Sequence, residues 1–456
     1  MFHTVKLSKS NPTPLYIQLA SELAQLIQAN LLSEGMKLPT IRLLSQRLSI
    51  NRDTVVSAYK LLEQQGLVES YIGKGTYIAS HTSHPTSLTT YQVPNPPHLC
   101  CSHLNLSSDF YPKTLCQELA GKIIQEEGWE AFSDPLFRER HALKQSANHF
   151  LEKLGLKTHF AQLRIIPSMN AFLLSLFKLT PKIGVCVEAL RDLTTSCYLR
   201  SIGAKIYEVP LTDEGMDLEV LERYLHTGTI SYIFLSPYLQ NPTGICYSDS
   251  NKKKILDLAT RYDAYIIEDG TYCDFLYAEM NYHPLYHLCL DQRVIYLYHF
   301  SKVYLPYMKY SFAILPVPLI KRFKDEVECG FNERFLHYYL SSPALKQISN
   351  QIHQTCKLRY EHLVSMLTKL QLPLICTNQY GSLWLWCQVS GDSYTTLCQK
   401  LTQKDIIIAP GELFSTTPLS GYFRLSISDL SLEAIDELVS TLKQYLLPKN
   451  SVLEPF

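Results

Sequence analysis

A net charge of either sign and long apolar runs are both missing from this sequence. Lys plus Arg and Asp plus Glu number 42 each, so no overall field attracts nucleic acid, and a DNA partner would need a local basic surface. No run approaches the roughly 18 apolar residues of a membrane span, and the first residues, MFHTVKLSKSNPTP, lack the apolar core of a signal peptide. These absences predict a cytoplasmic protein with no membrane partner.

Metal-binding cysteine patterns and glycine are also scarce. The 13 cysteines include no Cys-x-x-Cys pair and no His spacing typical of zinc, which predicts reduced thiols and no metal site. Glycine makes up 18 of 456 residues, below the average of about 7%. Erosion of glycine-rich loops and the base composition of the genome are two explanations for this deficit.

The first 80 residues carry the pattern of a helix-turn-helix unit. Apolar residues at helical spacing predict a helix over Pro14–Ala29, and Thr40 is a suitable N-cap for a second helix over Ile41–Leu48. A third helix is predicted from about Arg52 to Gln65, followed by a two-stranded hairpin over 67–78. Such a unit inserts the N-terminal end of its second helix into the major groove of DNA.

Three side chains of this unit are suited to nucleic acid. Arg52 can reach guanine edges and Thr54 can reach a phosphate, because both lie at the start of the predicted recognition helix. Lys74 occupies the Gly-Lys-Gly tip of the hairpin, where it suits a phosphate or the minor groove. Taken from these residues alone, a helical protein-interaction module is the alternative.

The same stretch resembles the winged helix-turn-helix of GntR-type bacterial transcription regulators. The resemblance covers the whole unit and rests on the segments Pro14-Leu15-Tyr16, Leu38-Pro39-Thr40-x-Arg42, Arg52-x-Thr54, Ala58-Tyr59 and Gly73-x-Gly75. It implies a double-stranded DNA operator as partner. The DNA-contacting residues that it implies are Thr40, Arg42, Arg52, Thr54, Tyr59 and Lys74.

The sequence predicts a linker and a much larger second domain after this unit. Residues 81–98 are rich in Ser, Thr, His and Pro without periodicity, which is typical of a linker between domain 1–80 and domain 99–456. In the larger domain, short apolar segments alternate with helical ones. This alternation predicts an α/β domain with a mostly parallel, doubly wound sheet.

Polar motifs follow three of the predicted strands, and ligands of such sheets lie beyond the carboxyl ends of the strands. The motifs are Asn241-Pro242-Thr243-Gly244, Glu268-Asp269 and Ser301-Lys302. Lys302 lies among apolar neighbours, which predicts a lowered pKa and an amine able to form a Schiff base with an aldehyde. An ordinary surface lysine is the alternative for a lone Ser-Lys pair.

From about Tyr111 to Leu447 the chain resembles the fold type I aminotransferases, which use pyridoxal 5′-phosphate. The resemblance implies a mostly parallel central sheet with a smaller C-terminal α/β part. It implies that Lys302 is the Schiff-base lysine, that Asp269 pairs with the pyridine nitrogen, and that Arg424 binds a substrate carboxylate. The other cofactor-binding residues that it implies are Asn241, Tyr272, Ser301, Lys309, Ser168 and Asn170.

A GntR-type DNA reader joined to an aminotransferase-like domain is the layout of the MocR subfamily of regulators. The resemblance implies a homodimer in which a ligand of the large domain, the cofactor or an amino compound, controls DNA binding. An active aminotransferase that carries a DNA-binding domain is the alternative. A third reading, a large domain that serves only as a dimerisation scaffold, does not account for the shared presence of Lys302, Asp269, Asn241 and Arg424.

Four positions depart from the pattern of cofactor-binding members. Asp192 aligns with the aromatic residue that stacks on the cofactor ring, and Met169 replaces a glycine of the phosphate-binding turn. Lys309 replaces a phosphate-binding arginine, and Phe132 replaces a tyrosine of the neighbouring subunit. Either the alignment shifts near Asp192 and another aromatic stacks, or cofactor affinity is weakened and the pocket has drifted towards another ligand.

Overall fold

The computed structural model divides the chain into two compact units, Met1–Asn95 and Pro96–Phe456. The structure describes residues 14–28, 36–48, 50–64, 67–71, 75–78, 97–133, 137–180, 182–277, 282–289, 293–305, 308–323, 330–377, 380–417 and 419–446. The wing residue Lys74 and most of the predicted linker 81–98 lie outside these residues. The predicted domain limits therefore stay a prediction.

The described residues of the N-terminal unit form three helices and a two-stranded antiparallel sheet. Its small core is built from the apolar side of each helix and includes Leu19, Leu44, Val55 and Leu62, all with no exposed surface. This arrangement is the predicted winged helix-turn-helix. Its elements are α1 (Leu15–Gln28), α2 (Ile41–Leu48), α3 (Arg52–Gln64), β1 (Val68–Tyr71) and β2 (Gly75–Ile78).

Tyr59 belongs to this core, which corrects its prediction as a DNA contact. Only 4% of the residue is exposed, and its hydroxyl donates a hydrogen bond of 2.8 Å to the carbonyl of Pro39. The buried ring and this hydrogen bond connect α3 to the segment that precedes α2. The role of Tyr59 in this unit is therefore structural.

The second unit is an α/β domain with a large and a small sheet. Its strands are β3 (Leu99–Cys101), β4 (Leu163–Ile166), β5 (Gly184–Glu188), β6 (Lys205–Val209), β7 (Leu211–Thr212), β8 (Gly215–Met216), β9 (Ile230–Leu235), β10 (Tyr265–Asp269), β11 (Val294–Tyr298), β12 (Ser311–Ile314), β13 (Ile375–Cys376), β14 (Trp384–Gln388), β15 (Ile406–Pro410) and β16 (Tyr422–Ser426). Its helices are α4 (Lys113–Glu127), α5 (Phe137–Lys153), α6 (Met169–Lys178), α7 (Leu193–Ser201), α8 (Leu218–Leu225), α9 (Asp249–Arg261), α10 (Leu285–Leu288), α11 (Phe300–Val303), α12 (Val317–Ile320), α13 (Gly330–Ser341), α14 (Ala344–Leu370), α15 (Gly391–Gln403) and α16 (Leu432–Leu446).

The large sheet has seven strands in the order β4-β12-β11-β10-β9-β5-β6. Strands β11, β10, β9, β5 and β6 pair in parallel, and β12 runs antiparallel to both of its neighbours. Because parallel strands end at the same edge, the residues that follow β5, β9, β10 and β11 converge there. The predicted mostly parallel sheet is confirmed.

The small sheet forms the predicted C-terminal α/β part. Its five strands lie in the order β13-β14-β16-β15-β3, and its apolar residues form a core with those of α14, α15 and α16. Strand β3, which begins soon after the predicted linker, pairs in parallel with β15. The segment after β3 is thereby held beside β16, which carries Arg424.

Two kinds of feature are absent from the residues that the structure describes. None of their helices combines the length and the apolar composition needed to cross a bilayer. Among the same residues, no group of three or more His, Cys, Asp or Glu side chains is arranged to hold a metal ion.

Gly270 provides a test of how tightly the site-forming edge of the large sheet is packed. A Cβ atom at this position would lie 1.9 Å from the hydroxyl of the buried Tyr296. We expect Gly270→Ala to destabilise the domain by about 1–3 kcal/mol, because the backbone after Asp269 must move. Gly121→Ala is the control, since nothing lies within 4 Å of the added atom on α4. Thermal unfolding measures both, and equal midpoints would contradict the packing argument.

Candidate functional site

A cavity of about 530 Å³ opens at the carboxyl edge of the large sheet. Residues from the loops after β5, β9, β10 and β11 line it, together with the start of α6 and Arg424 of the small sheet. The cavity brings together Lys302, Asp269, Asn241, Tyr272, Asn170 and Arg424. Six residues predicted from separate sequence motifs therefore share one space.

Lys302 lies on the short helix α11, which directly follows β11. Its side chain is exposed and lines the cavity, so it reaches the space that a ligand would fill. Burial of its surroundings acts to lower its pKa, but electrostatic interactions with Tyr272, Asp269 and Asp192 outweigh burial, and the pKa is raised. The predicted lowering of the pKa is therefore wrong, because carboxylates lie close by and stabilise the ammonium form.

Asp269 is the last residue of β10 and is held by hydrogen bonds from the next turn. Its Oδ1 accepts hydrogen bonds from the backbone N–H of Thr271, at 3.0 Å, and from the Thr271 hydroxyl. Burial acts to raise the pKa of Asp269, but the nearby His299 and Lys302 and the Thr271 bonds outweigh it, so the pKa is lowered. A fixed carboxylate in this state can pair with a protonated ring nitrogen.

His299 is a site residue that the sequence did not reveal. It lines the cavity, its Nε2 lies 3.8 Å from Oδ2 of Asp269, and its Nδ1 lies 2.9 Å from the hydroxyl of Ser311. Burial, followed by the charge of Lys302, lowers the pKa of His299, so the ring is neutral at neutral pH. A lone histidine before Ser-Lys gives no sequence signal, and only the parallel pairing of β10 and β11 brings it to Asp269.

Arg424 and Asn241 are joined across the two sheets. The Arg424 guanidinium donates hydrogen bonds of 2.7 Å to Oδ1 of Asn241 and of 2.6 Å to the carbonyl of Ser102, and it lies 4.8 Å from the ring centre of Phe414. Its buried Nε has no hydrogen-bond partner among the described residues. Arg424 is therefore fixed in place at the cavity wall, with one buried donor left without a partner among the described residues.

Tyr272 is held by the same junction between the sheets. Its ring packs edge-on against Trp384 at 5.1 Å, and the Trp384 indole donates a hydrogen bond of 2.8 Å to the carbonyl of Pro242. Burial raises the pKa of Tyr272 and exceeds the opposing effect of Lys302 and Arg424, so the phenol is protonated at neutral pH. It can donate a hydrogen bond into the cavity.

The end of the cavity predicted to hold a phosphate lacks two of the hydroxyl contacts that the resemblance implies. Asn170 and Met169 line it at the start of α6, but Ser168 does not: its hydroxyl caps the helix by accepting the N–H of Ala171 at 3.3 Å. Ser301 is buried, and its hydroxyl accepts the N–H of Tyr310 at 2.8 Å. Ser168 and Ser301 therefore hold the backbone.

Lys309 and Asp192, two positions that depart from the aminotransferase pattern, differ in whether they line the cavity. Lys309 is exposed, has a φ of +59°, and is not among the described residues that line the cavity. Asp192 does line it and caps α7, because its Oδ1 accepts the N–H of Thr194 at 2.9 Å. The N-terminus of α7 beside the cavity is thus already capped by the carboxylate of Asp192.

The predicted DNA contacts of the N-terminal unit lie at the starts of α2 and α3. Arg42 and Arg52 are exposed, and Thr54 is half-buried on the first turn of α3. The hydroxyl of Thr40 accepts the N–H of Leu43 at 3.3 Å, so Thr40 caps α2. Exposed arginines at the starts of α2 and α3 are compatible with the predicted DNA contacts, which stay a prediction.

Both parts of the chain match protein families. Residues 15–78 match the bacterial regulatory proteins of the gntR family, and residues 105–307 match aminotransferase class I and II. The chain joins a gntR-family DNA-binding domain to an aminotransferase class I and II domain. Relatives that match nearly the whole chain are named HTH-type transcriptional regulators, consistent with the MocR subfamily, as the resemblance implied, and relatives that match a shorter part include aminotransferases.

Two curated relatives match nearly the whole chain. The HTH-type transcriptional regulator YdfD of Bacillus subtilis strain 168 is 24% identical, over 94% of this chain and 95% of its own. YjiR of Escherichia coli K12, also an HTH-type transcriptional regulator, is 24% identical over 93% and 97%. The gntR and aminotransferase parts therefore occur together in proteins of the same extent.

A solved structure shows the fold of the larger domain. The α-aminoadipate aminotransferase LysN of Thermus thermophilus, complexed with N-(5′-phosphopyridoxyl)-L-leucine, superposes with a TM-score of 0.65 at 22% identity. The match covers 76% of this chain and 92% of that one. The predicted aminotransferase fold is confirmed.

The residues of the cavity fit a pyridoxal ring better than its phosphate. Lys302, Asp269, Asn241 and Tyr272 present the amine, carboxylate, amide and phenol that such a ring requires, and the guanidinium of Arg424 at the cavity wall suits a carboxylate. At the other end, Ser168 and Ser301 are engaged and Lys309 lies away from the lining. The donor set therefore fits the cofactor at the ring and only weakly at the phosphate.

The neutral state of His299 leads to a pH prediction. Because its pKa is lower in the folded chain than the usual 6.5, His299 binds more protons in the unfolded chain below about pH 6.5, and its own contribution to stability falls as the pH falls. We expect His299→Asn to reduce this fall, by about 1 kcal/mol for each unit of pKa difference removed. The measurement is thermal unfolding of wild type and variant at pH 7 and pH 5.

His149→Asn, at an exposed position, is the control for this prediction. Asp269 does not interfere, because its lowered pKa affects stability only below its usual value of 3.8. Equal pH dependence in wild type and His299→Asn would contradict the assignment of a neutral His299.

Proposed function

We propose that this protein is a cytoplasmic transcription regulator whose aminotransferase-like domain senses pyridoxal 5′-phosphate, an amino compound, or both. The observation that carries the proposal is that Lys302, Asp269, Asn241 and Arg424 line one cavity in a chain that also has a DNA-reading unit. Neither a plain DNA-binding protein nor a scaffold requires these four side chains together. The names of the full-length relatives support regulation over metabolism.

Each cavity residue has a defined part in binding. When bound, the cofactor supplies an aldehyde for a lysine and an electron-withdrawing ring. Lys302 would provide the amine, Asp269 would hold a proton on the ring nitrogen, and Tyr272 would donate a hydrogen bond to the ring oxygen. Arg424 would bind the carboxylate of an amino acid, which agrees with the phosphopyridoxyl-leucine complex of the LysN relative.

An active aminotransferase is the second candidate, supported by aminotransferase relatives such as LysN. Efficient turnover needs a cofactor that stays bound while its amine is exchanged, and the phosphate normally provides this anchor. Here the predicted phosphate end offers Asn170 and Met169, Lys309 lies away from the lining, and a carboxylate, Asp192, stands where a stacking aromatic is expected. These residues favour reversible sensing over turnover, and the absence of steady-state transamination in the loaded protein is the expected result.

A homodimer is proposed as the working form. Trp129 is 84% exposed and Phe132 is 53% exposed, and both lie on the short 3-10 helix that follows α4. Phe132 stacks on Phe331 at 5.5 Å, which extends the apolar surface to α13. Large aromatic side chains grouped in this way are typical of a surface that a partner covers.

The sensing proposal predicts a response that depends on Lys302. With pyridoxal 5′-phosphate, the wild type should gain a near-visible absorbance band and a borohydride-fixed mass increase on Lys302, and its affinity for operator DNA should change. Lys302→Ala should lose all three responses but keep its basal DNA affinity, since Lys302 belongs to the other unit. Lys157→Ala, at an exposed lysine outside the cavity lining, is the control and should behave as the wild type.

Two results would overturn the cofactor part of this proposal. One is the absence of any band or mass increase at saturating cofactor. The other is an equal response in Lys302→Ala, which would place the cofactor on another lysine. A change of DNA affinity with an amino compound alone would keep the sensing role and remove the cofactor from it.

The DNA reader leads to a separate prediction. Arg52→Ala should weaken binding to a selected operator by about 1–3 kcal/mol, because a guanidinium at the start of α3 reaches base edges. Lys60→Ala, which removes an exposed cation further along the same helix, is the matched control and should cost less. Operators are first selected from random DNA with the full-length protein and then measured by fluorescence anisotropy. Equal losses would contradict the assignment of α3 as the recognition helix.

A further inference from the structure

Two cysteines lie opposite each other in the small sheet. Cys376 of β13 pairs with Cys387 of β14 in the antiparallel register, and their sulfur atoms are 3.7 Å apart. The N–H of Thr377 donates to the carbonyl of Trp386 at 3.2 Å, so the cysteine pair occupies the adjacent, non-hydrogen-bonded position. Opposed Cα atoms at such positions are about 4.5 Å apart, within the roughly 4.4–6.8 Å that a disulfide spans.

The two thiols differ in environment. Cys376 is half-buried at the end of a two-residue edge strand, whereas Cys387 is fully buried in the core of the small sheet. The hydrogen bond from the Cys387 thiol lowers the pKa of Cys376, and burial raises the pKa of Cys387. Cys376 is therefore the thiol that more readily ionises and meets a reagent from solvent.

The plain reading is a pair of small apolar residues that fill the core. Filling space accounts for Cys387 and in part for Cys376, which packs against the same core but keeps exposed surface on an edge strand. It also gives no reason for two sulfur atoms in contact at a position where a disulfide requires little backbone movement. The geometry favours a pair that can react.

We propose that Cys376 and Cys387 form a redox modification site, at which a peroxide converts the two thiols into a cross-strand disulfide. The Cys376 thiolate attacks one peroxide oxygen, the O–O bond breaks, and the leaving oxygen takes up a proton to become water. The sulfur of Cys387 then attacks the sulfur of the resulting sulfenic acid. The S–S bond forms as the S–O bond breaks, and the Cys387 proton leaves with the hydroxyl as a second water.

The reaction is balanced with hydrogen peroxide as the oxidant. The two thiols lose two electrons and two protons, and hydrogen peroxide is reduced to two molecules of water. In the resting chain both cysteines are free thiols, so the site is closed only when an oxidant is present.

The position of the pair connects it to the cavity wall. The hydroxyl of Thr377, next to Cys376, donates a hydrogen bond of 2.8 Å to the carbonyl of Thr243 in the loop that carries Asn241. Trp386, next to Cys387, lies opposite Arg424 in the sheet. A disulfide at this point would join the strand that supports the Asn241 loop to the strand beside Arg424.

The test uses the full-length protein and hydrogen peroxide as the probe. We expect treated wild type to lose two titratable thiols and to yield, without reduction, a peptide pair linked between Cys376 and Cys387. Dithiothreitol should restore both thiols. Cys376→Ser should abolish the link, and Cys398→Ser, at another half-buried cysteine of the same sheet and helix layer, should leave it unchanged.

Three results would overturn the proposal, and each is readable in the wild type alone, without relying on a variant that folds. The first is a disulfide between other cysteines. The second is Cys376 converted to sulfinic or sulfonic acid while Cys387 stays a thiol. The third is an unmodified pair under conditions that oxidise the exposed Cys197.

Discussion

The parallel pairing of β9, β10 and β11 is the constraint on which the site depends. In this register Asp269 lies opposite Leu297, so β10 and β11 end at the same edge of the sheet. Lys302 lies on α11, which directly follows β11. Asn241 follows β9 at the same edge. No local sequence preference links these three residues, which lie far apart in the chain. Their meeting is a property of the sheet, and a one-residue slip in either strand would remove it.

The charges of the cavity form one connected system. Lys302 keeps its proton because Asp269 and Asp192 face it, and Asp269 keeps its charge because Lys302 and the Thr271 bonds stabilise it. A lysine held as an ammonium ion is a poor nucleophile until a ligand changes its surroundings.

The strands, the order of the motifs and the joining of two domains could be predicted from the sequence because each depends on local pattern. For example, the short apolar segment Val294–Leu297 lies within β11, and the segment Lys205–Val209 is β6. The pKa of Lys302 and the role of His299 could not be predicted, because both depend on carboxylates supplied by other strands. The prediction of Tyr59 as a DNA contact was wrong for a related reason. A helical pattern does not show which side-chain hydroxyl hydrogen-bonds to a backbone carbonyl of the fold.

The departures from the aminotransferase pattern spare the residues predicted to hold the amine and the ring nitrogen. Met169 and Lys309 concern the predicted phosphate contacts and Asp192 the predicted stacking position, whereas Lys302 and Asp269 are retained. General decay of a cofactor site would have affected Asp269 and Lys302 as well, because an unused Asp269 beside an unused lysine costs burial without return. Weaker anchoring and stacking shorten residence, while the retained polar contacts preserve recognition. A regulator needs this combination, since its ligand must leave when the concentration in the cell falls.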